Sequence, residues 1–341
     1  MKSSFPEYYR PTDAEFRSLW NQATFAFDAN VLLHVYRYSE ETARQLIALI
    51  TTIADRTWVP HRFAFEFHRK RYELILEQAS YYKTVSKNLN TILEEDFKSR
   101  RKHPFVKPEI LHKLEQLFTE LTSALAEGEK KHEALLKQDN YLDTLTELFS
   151  EKIGTAYSEE QQAKLHEDAR KRFGRKIPPG YKDEKKPEPD RYGDYLAWRQ
   201  LLDHAKDTNK PIILISDDNK EDWWLQIRGD ITIGPRPELI AEFLRETNQK
   251  FYMYSAESFM EHARNYLGAE VTESAIQEAK EQREKAREDT VNLKAEPMQA
   301  FVHPKDPKPT ATGPIEVTVS PPLKAESSTS AADSPAPQKG I

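Results

Sequence analysis

The stretch Thr24-Phe25-Ala26-Phe27-Asp28-Ala29-Asn30 decides the fold of this chain. A short apolar run leads without a break into an aspartate, the pattern of a strand covered on both faces. Far along the chain, Pro211-Ile212-Ile213-Leu214-Ile215-Ser216-Asp217-Asp218 repeats that layout. In open parallel sheets ligands bind beyond the carboxyl ends of the strands, where both acidic groups would sit. Carboxylates brought together repel each other, and such an arrangement persists mainly where a cation neutralises it. The two stretches therefore predict a divalent metal at the sheet edge.

The rest of the composition narrows the class. With 341 residues the chain can hold one large domain or two small ones. Charged residues make up 31% and hydrophobic residues 38%, which suits a soluble protein with much exposed helix. A net charge of −6 argues against a generally basic nucleic-acid coat protein, but a local basic groove is enough to bind nucleic acid. The absence of cysteine excludes disulfides, thiolate zinc sites and cysteine nucleophiles. Met1-Lys2-Ser3-Ser4-Phe5-Pro6-Glu7 lacks the apolar core of a signal peptide, and no apolar run approaches the roughly 20 residues of a membrane span. The expectation is a cytoplasmic protein with no membrane partner.

Outward from the first strand, Ser39 caps a helix to about Ala54, with Glu40 and Glu41 suited to its positive end. A second strand, Arg56-Thr57-Trp58-Val59, stops at Pro60, and a helix opens at His61 and carries Glu66. This βαβα alternation indicates an α/β fold with a parallel sheet. From about Arg69 to Arg172 strand patterns disappear, and Ile110, Leu114, Leu117, Leu121 and Leu125 recur at helical spacing. The span reads as an insertion containing an antiparallel pair of long helices. Ser158-Glu159-Glu160-Gln161 has the capping-box spacing of another helix. The basic runs Lys98–His103 and Arg170–Arg172 read first as solvated helix ends.

A loop from Ile177 to Asp190 precedes a helix that begins near Arg191-Tyr192-Gly193-Asp194 and reaches about Asp207. After the 211–216 strand come a short strand near Ile231-Thr232-Ile233, a helix over Pro237–Thr247, a strand at Phe251-Tyr252-Met253-Tyr254 and a helix over Ser255–Leu267. Glu273 to Asp289 is highly charged and reads as one exposed helix. From Ala295 on, nine of the 21 prolines sit among Ser, Thr, Ala and Lys, the composition of a disordered tail.

Several acids carry the chemistry. Asp28 ends a buried strand and reads either as a metal ligand or as the start of a turn; Asn30 suits its carboxylate, a substrate or a cap equally well. Glu66 lies among Phe63, Ala64, Phe65 and Phe67, so its charge needs a partner, a cation or else Arg62 or Arg69. Asp194 occupies a first helical turn, where dipole stabilisation alone is a sufficient reason for it; Gly193 beside it permits close approach of a backbone or ligand. Asp217, Asp218 and Asp222 follow the central strand, more acid than a turn requires. His61 and His68 lack further His or Cys partners and read as packing or surface residues. Trp223 and Trp224 have the rings to stack on bases, but core packing is their commoner role.

The order Phe-Asp-Ala-Asn-Val-Leu-Leu at 27–33, then Glu66, Asp194 and Ile-Ser-Asp-Asp at 215–218, resembles the PIN domain, in particular the PIN-like branch with a long helical insertion. Tyr36-Arg37-Tyr38-Ser39, Pro60-His61, Glu66-Phe67-His68-Arg69, Pro179-Gly180-Tyr181-Lys182-Asp183, Arg191-Tyr192-Gly193-Asp194, Asp217 through Trp224, Gly234-Pro235-Arg236-Pro237-Glu238-Leu239 and Phe251-Tyr252-Met253-Tyr254 strengthen it. The resemblance implies a three-layer α/β nuclease domain over 20–268, with a helical insertion over 70–175, followed by a charged helix over 270–292 and a disordered Pro-rich tail over 295–341. It implies Mg²⁺ or Mn²⁺ held by Asp28, Glu66, Asp194 and Asp218 as the catalytic acids. Ser216-Asp217-Asp218 matches the family's Thr/Ser-x-Asp, which favours Asp218, and the division of metal ligands among Asp217, Asp218 and Asp222 stays open. Asn30, Arg62, Arg69, Arg191, Ser216 and Lys220 are the expected substrate-binding residues.

The resulting expectation is an endoribonuclease, with RNA placed before DNA as the partner on the resemblance alone. A homodimer or a regulatory protein partner suits the inserted helices. Three rivals differ in what they need. A structure-specific DNA nuclease of the same fold would use the insertion as an arch, a silent binding module would leave the acids apart, and a phosphatase would need a narrow closed pocket.

Overall fold

The computed structural model describes residues 1–99, 106–228 and 231–295. The tail expected over 295–341 lies outside the described residues beyond Ala295, as does the basic run of 98–103 beyond Ser99. Helix α1 (Asp13–Gln22) leads into β1 (Thr24–Phe27), and α2 (Ala29–Leu33) and α3 (Glu40–Thr52) follow. Strand β2 (Thr57–Trp58) precedes α4 (His61–Thr91), α5 (Pro108–Ala134), α6 (Asn140–Leu148), α7 (Glu159–Gly174) and α8 (Gly193–Thr208). Strands β3 (Ile212–Ile215), β4 (Trp224–Ile227) and β5 (Ile231–Pro235), helix α9 (Pro237–Thr247), strand β6 (Phe251–Tyr254) and helices α10 (Ala256–Leu267) and α11 (Glu273–Ala295) complete the order.

Four strands form a parallel sheet in the order β2-β1-β3-β6. Every residue of β1 and β3 is buried, which is why both read as unbroken apolar runs rather than as alternation. The two faces are covered by different helices. On one, Phe251 packs against Trp198 of α8 and Phe243 of α9, each with ring centroids 5.0 Å apart. On the other, Tyr252 meets Phe16 and Phe25 meets Trp20, both from α1, while Phe27 meets Phe259 of α10. The result is a three-layer α/β fold. In register, Phe27 pairs with Ile215 and Ile215 with Tyr254, so Asp28 and Ser216 leave the sheet side by side.

Helices α4 and α5 run antiparallel, with Lys83 paired to Glu129 and Glu133; in the helical segment Ile92–Ser99 that follows α4, Lys98 pairs with Glu115. The apolar row expected on α5 is not the packed one. Ile110, Leu117 and Leu121 are exposed, while Leu111, Leu114, Phe118 and Leu125 are half-buried. Both rows satisfy helical spacing, so the period alone could not choose between them. Strands β4 and β5 form an antiparallel ribbon apart from the main sheet; the sequence reading contained no β4.

The Ser158 capping box is present. Within the run Arg170–Arg172, Arg170 and Lys171 are exposed near the helix end, but Arg172 binds the buried Glu242 through two hydrogen bonds of 2.6 and 2.7 Å. Nor is α11 simply an exposed helix. Ala275, Ile276 and Ala279 are buried, and Glu278 and Arg283 reach back to the domain. Among the described residues no helix is long and apolar enough to cross a membrane.

Candidate active site

Asp28 follows β1 directly and caps α2 without a side-chain capping bond, so its carboxylate is left for other groups. It is buried and accepts hydrogen bonds from Asn30 Nδ2 at 2.8 Å and Ser216 Oγ at 2.6 Å. Burial pushes its carboxyl up to about 8, and repulsion from Glu66, Asp218 and Asp194 adds to that push. Asp28, at the end of β1, thus lies within electrostatic reach of acids from three other segments: the second turn of α4, the first turn of α8 and the loop after β3.

Each acid has its own surroundings. Glu66 is half-buried and pairs with Lys70, one turn on, at 2.6 Å. Arg62 and Arg69, its expected partners, instead approach Asp190 at 3.5 and 2.6 Å and both lie over the exposed ring of Phe65. Asp194 Oδ2 accepts from Lys220 Nζ at 2.9 Å and from the buried Trp223 indole at 3.3 Å. Burial pushes Asp194 up, yet Lys220, Lys186 and the indole outweigh it and hold the carboxyl below its ordinary range. Asp218 Oδ2 lies 2.8 Å from Lys220 Nζ, and its Oδ1 accepts from Lys220 N at 2.9 Å. Trp224 Nε1 donates to the Asp218 carbonyl. The two tryptophans thus pack in the core and aim acids.

The neighbouring acids are already engaged. Asp217 is buried against His34, with His34 Nε2 at 2.7 Å from Oδ2, and its Oδ1 accepts from Ala256 N at 2.9 Å. Asp222 Oδ2 accepts from Gly180 N and Lys182 N at 2.9 and 3.0 Å, while its Oδ1 is buried without a partner. Burial, then Asp194, raises Asp222 to about 6. Gly180 can make its contact because its φ is +97°, a left-handed conformation open to glycine.

Of the residues expected to bind substrate, Asn30 bridges Asp28 and Asp217 N, Ser216 serves Asp28, and Lys220 serves three carboxylates. Arg191 Nε donates to Lys186 O at 3.0 Å within its own loop. Arg62 and Arg69 lie over Phe65 and pair with Asp190. His61 and His68 share no cluster. Among the described residues no group of three or more Asp, Glu, His or Cys side chains is gathered closely enough to hold a metal ion as it stands.

Sequence reasoning missed four residues. Asp183 is buried and binds Lys220 and Lys186 at 3.0 and 2.7 Å. Asp190 holds both arginines, His34 fixes Asp217, and Arg283 of α11 donates to Asn219 Oδ1 at 3.3 Å, next to Asp218. Only Asp183 left a signal, inside the Pro179–Asp183 stretch. The others act across the fold, where spacing carries no information.

A family model described as a PIN like domain matches residues 24–239, more than half of the chain. No curated protein and no solved structure matches the chain.

Proposed function

The chain belongs to the PIN-like domain family, and from that premise we propose that it is a metal-dependent nuclease acting at the Asp28, Glu66, Asp194 and Asp218 cluster. The observation that carries the reading is Asp28: a buried carboxyl within electrostatic reach of three other acids, whose hydrogen-bond donors among the described residues are the neutral Asn30 and Ser216. Such a group calls for a cation.

The donor set fits a hard divalent ion. It is all oxygen, it contains no cysteine or histidine, and the Oδ1 of Asp222 is an orphaned buried acceptor beside it. Asp28 and Glu66, with Asp194 and Asp218 alongside, would hold Mg²⁺ or Mn²⁺, which would supply Lewis-acid charge to phosphate oxygens and activate water. The chain's own groups do the positioning. Ser216 and Asn30 orient Asp28, Trp223 orients Asp194, and the Asp218 carbonyl is pinned by Trp224. Arg62 and Arg69, stacked on Phe65, are placed to take phosphates of a bound strand, with the exposed Phe65 ring available to a base.

RNA is the proposed substrate, before DNA, on the family resemblance. One observation favours a second reading, a binding module without turnover: Lys220 already pairs with Asp194 and Asp218, two of the four acids, as well as with Asp183. Labelled single-stranded RNA and DNA incubated with Mn²⁺, Mg²⁺ or EDTA separate the two. Metal-dependent cutting supports the nuclease and its preferred strand names the substrate; tight binding without cutting in any metal supports the module.

A further inference from the structure

The charges of the acid cleft are compensated unevenly. Lys220 Nζ lies 2.8 Å from Asp218 Oδ2, 2.9 Å from Asp194 Oδ2 and 3.0 Å from Asp183 Oδ2. The ammonium donates hydrogen bonds to Asp183 and Asp194 and forms an ion pair with Asp218. Lys186 adds a second positive charge on Asp183 at 2.7 Å. Among the described residues the other half of the cleft has nothing comparable. Asp28 accepts from an amide and a hydroxyl, and Glu66 pairs with Lys70, a half-exposed neighbour on its own helix.

Lys220 is also held in place by the fold. Its N–H donates to Asp218 Oδ1, and Trp223 N and Trp224 N donate back to its carbonyl at 3.1 and 3.2 Å. The two buried indoles bond Asp194 and the Asp218 carbonyl. Removing the ammonium would leave Asp183 with Lys186, Asp194 with the Trp223 indole and Asp218 with a backbone N–H, less positive charge than these buried carboxylates now have.

We propose that Lys220 is the resident cation of the Asp183, Asp194 and Asp218 half of the cleft, so that the protein takes up a single divalent ion, at the Asp28 and Glu66 end. This rests on the metal-dependent reading above and deepens it, because it assigns the charge that a two-ion site would draw from a second metal. Lys220 is then a positioning residue: it holds Asp194 and Asp218 in a fixed arrangement. A second ion can enter only when the ammonium is gone.

The test is Mn²⁺ binding by the full-length protein, followed by electron paramagnetic resonance of the free ion. One bound Mn²⁺ per chain is expected in the wild type and two in Lys220→Met. Two in the wild type, or one in Lys220→Met, overturns the proposal. Should Lys220→Met fail to fold, two other variants decide: Asp28→Asn is expected to bind none and Asp183→Asn one, and the reverse pattern overturns it. No bound ion in a wild type that also fails to cut nucleic acid defeats the nuclease reading itself. A wrong ion count in a protein that cuts defeats this proposal alone.

Discussion

His34 Nε2 and Asp217 Oδ2 lie 2.7 Å apart, both side chains buried, and the pair ties the turn after α2 to the loop that carries Asp218. Burial raises the Asp217 carboxyl, but the His34 contact, its charge and the Ala256 N–H outweigh it and leave the group below its ordinary 3.8. A carboxyl lowered in the folded state stabilises above its unfolded pKa, and that contribution fades as pH falls through the folded value. Asp217→Asn is therefore expected to cost about 1.5–3 kcal/mol at pH 7. The deficit should shrink below pH 3.8. Urea unfolding across pH measures both, and a variant as stable as the wild type at neutral pH contradicts the account.

Asp28 behaves in the opposite sense. Its carboxyl, raised to about 8 first by burial and then by Glu66, holds its proton in the folded chain at pH values where the unfolded chain has lost it. Without metal, stability should fall as pH rises from about 4 toward 8 and level off above. Asp28→Asn removes that slope and should be more stable than the wild type at pH 8.5 in EDTA, by about 2 kcal/mol. Added Mn²⁺ should flatten the slope of the wild type and leave the variant unmoved. Thermal melts with and without the ion read all of this.

Gly193 lies against Arg62. A Cβ at Gly193 would sit 3.0 Å from Arg62 Nε and Nη2. The backbone there is helical, so Gly193→Ala should fold normally and displace only the guanidinium. The expected result is a KM for nucleic acid raised roughly tenfold with kcat little changed. The slope of log affinity against log salt should fall by about one, the signature of one lost phosphate contact. An unchanged salt slope would remove Arg62 from the binding surface.

Glu278 anchors α11 to the start of α3. Its carboxylate accepts from Ser39 N at 2.5 Å, Ser39 Oγ at 2.7 Å and Thr42 Oγ1 at 2.6 Å, at a helix N-terminus that favours negative charge. Glu278→Ala should speed amide exchange in 273–285 by about tenfold or more, because charged hydrogen bonds of this kind contribute about 1.5–3 kcal/mol. Unchanged exchange would show that the buried Ala275, Ile276 and Ala279 hold α11 by themselves.

Much of the sheet was legible because buried parallel strands write themselves as short apolar runs. Asp28 and Ser216-Asp217-Asp218 announced the strand ends, and the spans over Pro237–Thr247 and Phe251–Tyr254 agree with α9 and β6. Helix packing in the insertion was less so, since Leu114 and Leu125 belong to two interleaved rows. The cleft's internal cations were illegible. Lys220 reads as one more basic residue near acids until the fold brings Asp183, Asp194 and Asp218 around it. The pairing of Arg62 and Arg69 with Asp190, rather than with Glu66, likewise depends on the loop before α8.

The most direct test of the central claim is Mn²⁺-dependent cleavage of single-stranded RNA by wild type and by a folded Asp28→Asn/Asp218→Asn double variant. The account predicts cutting that EDTA abolishes and that the variant loses by about 100-fold or more. Equal cutting by the variant, or none by a folded, Mn²⁺-loaded wild type on RNA or DNA, would contradict it.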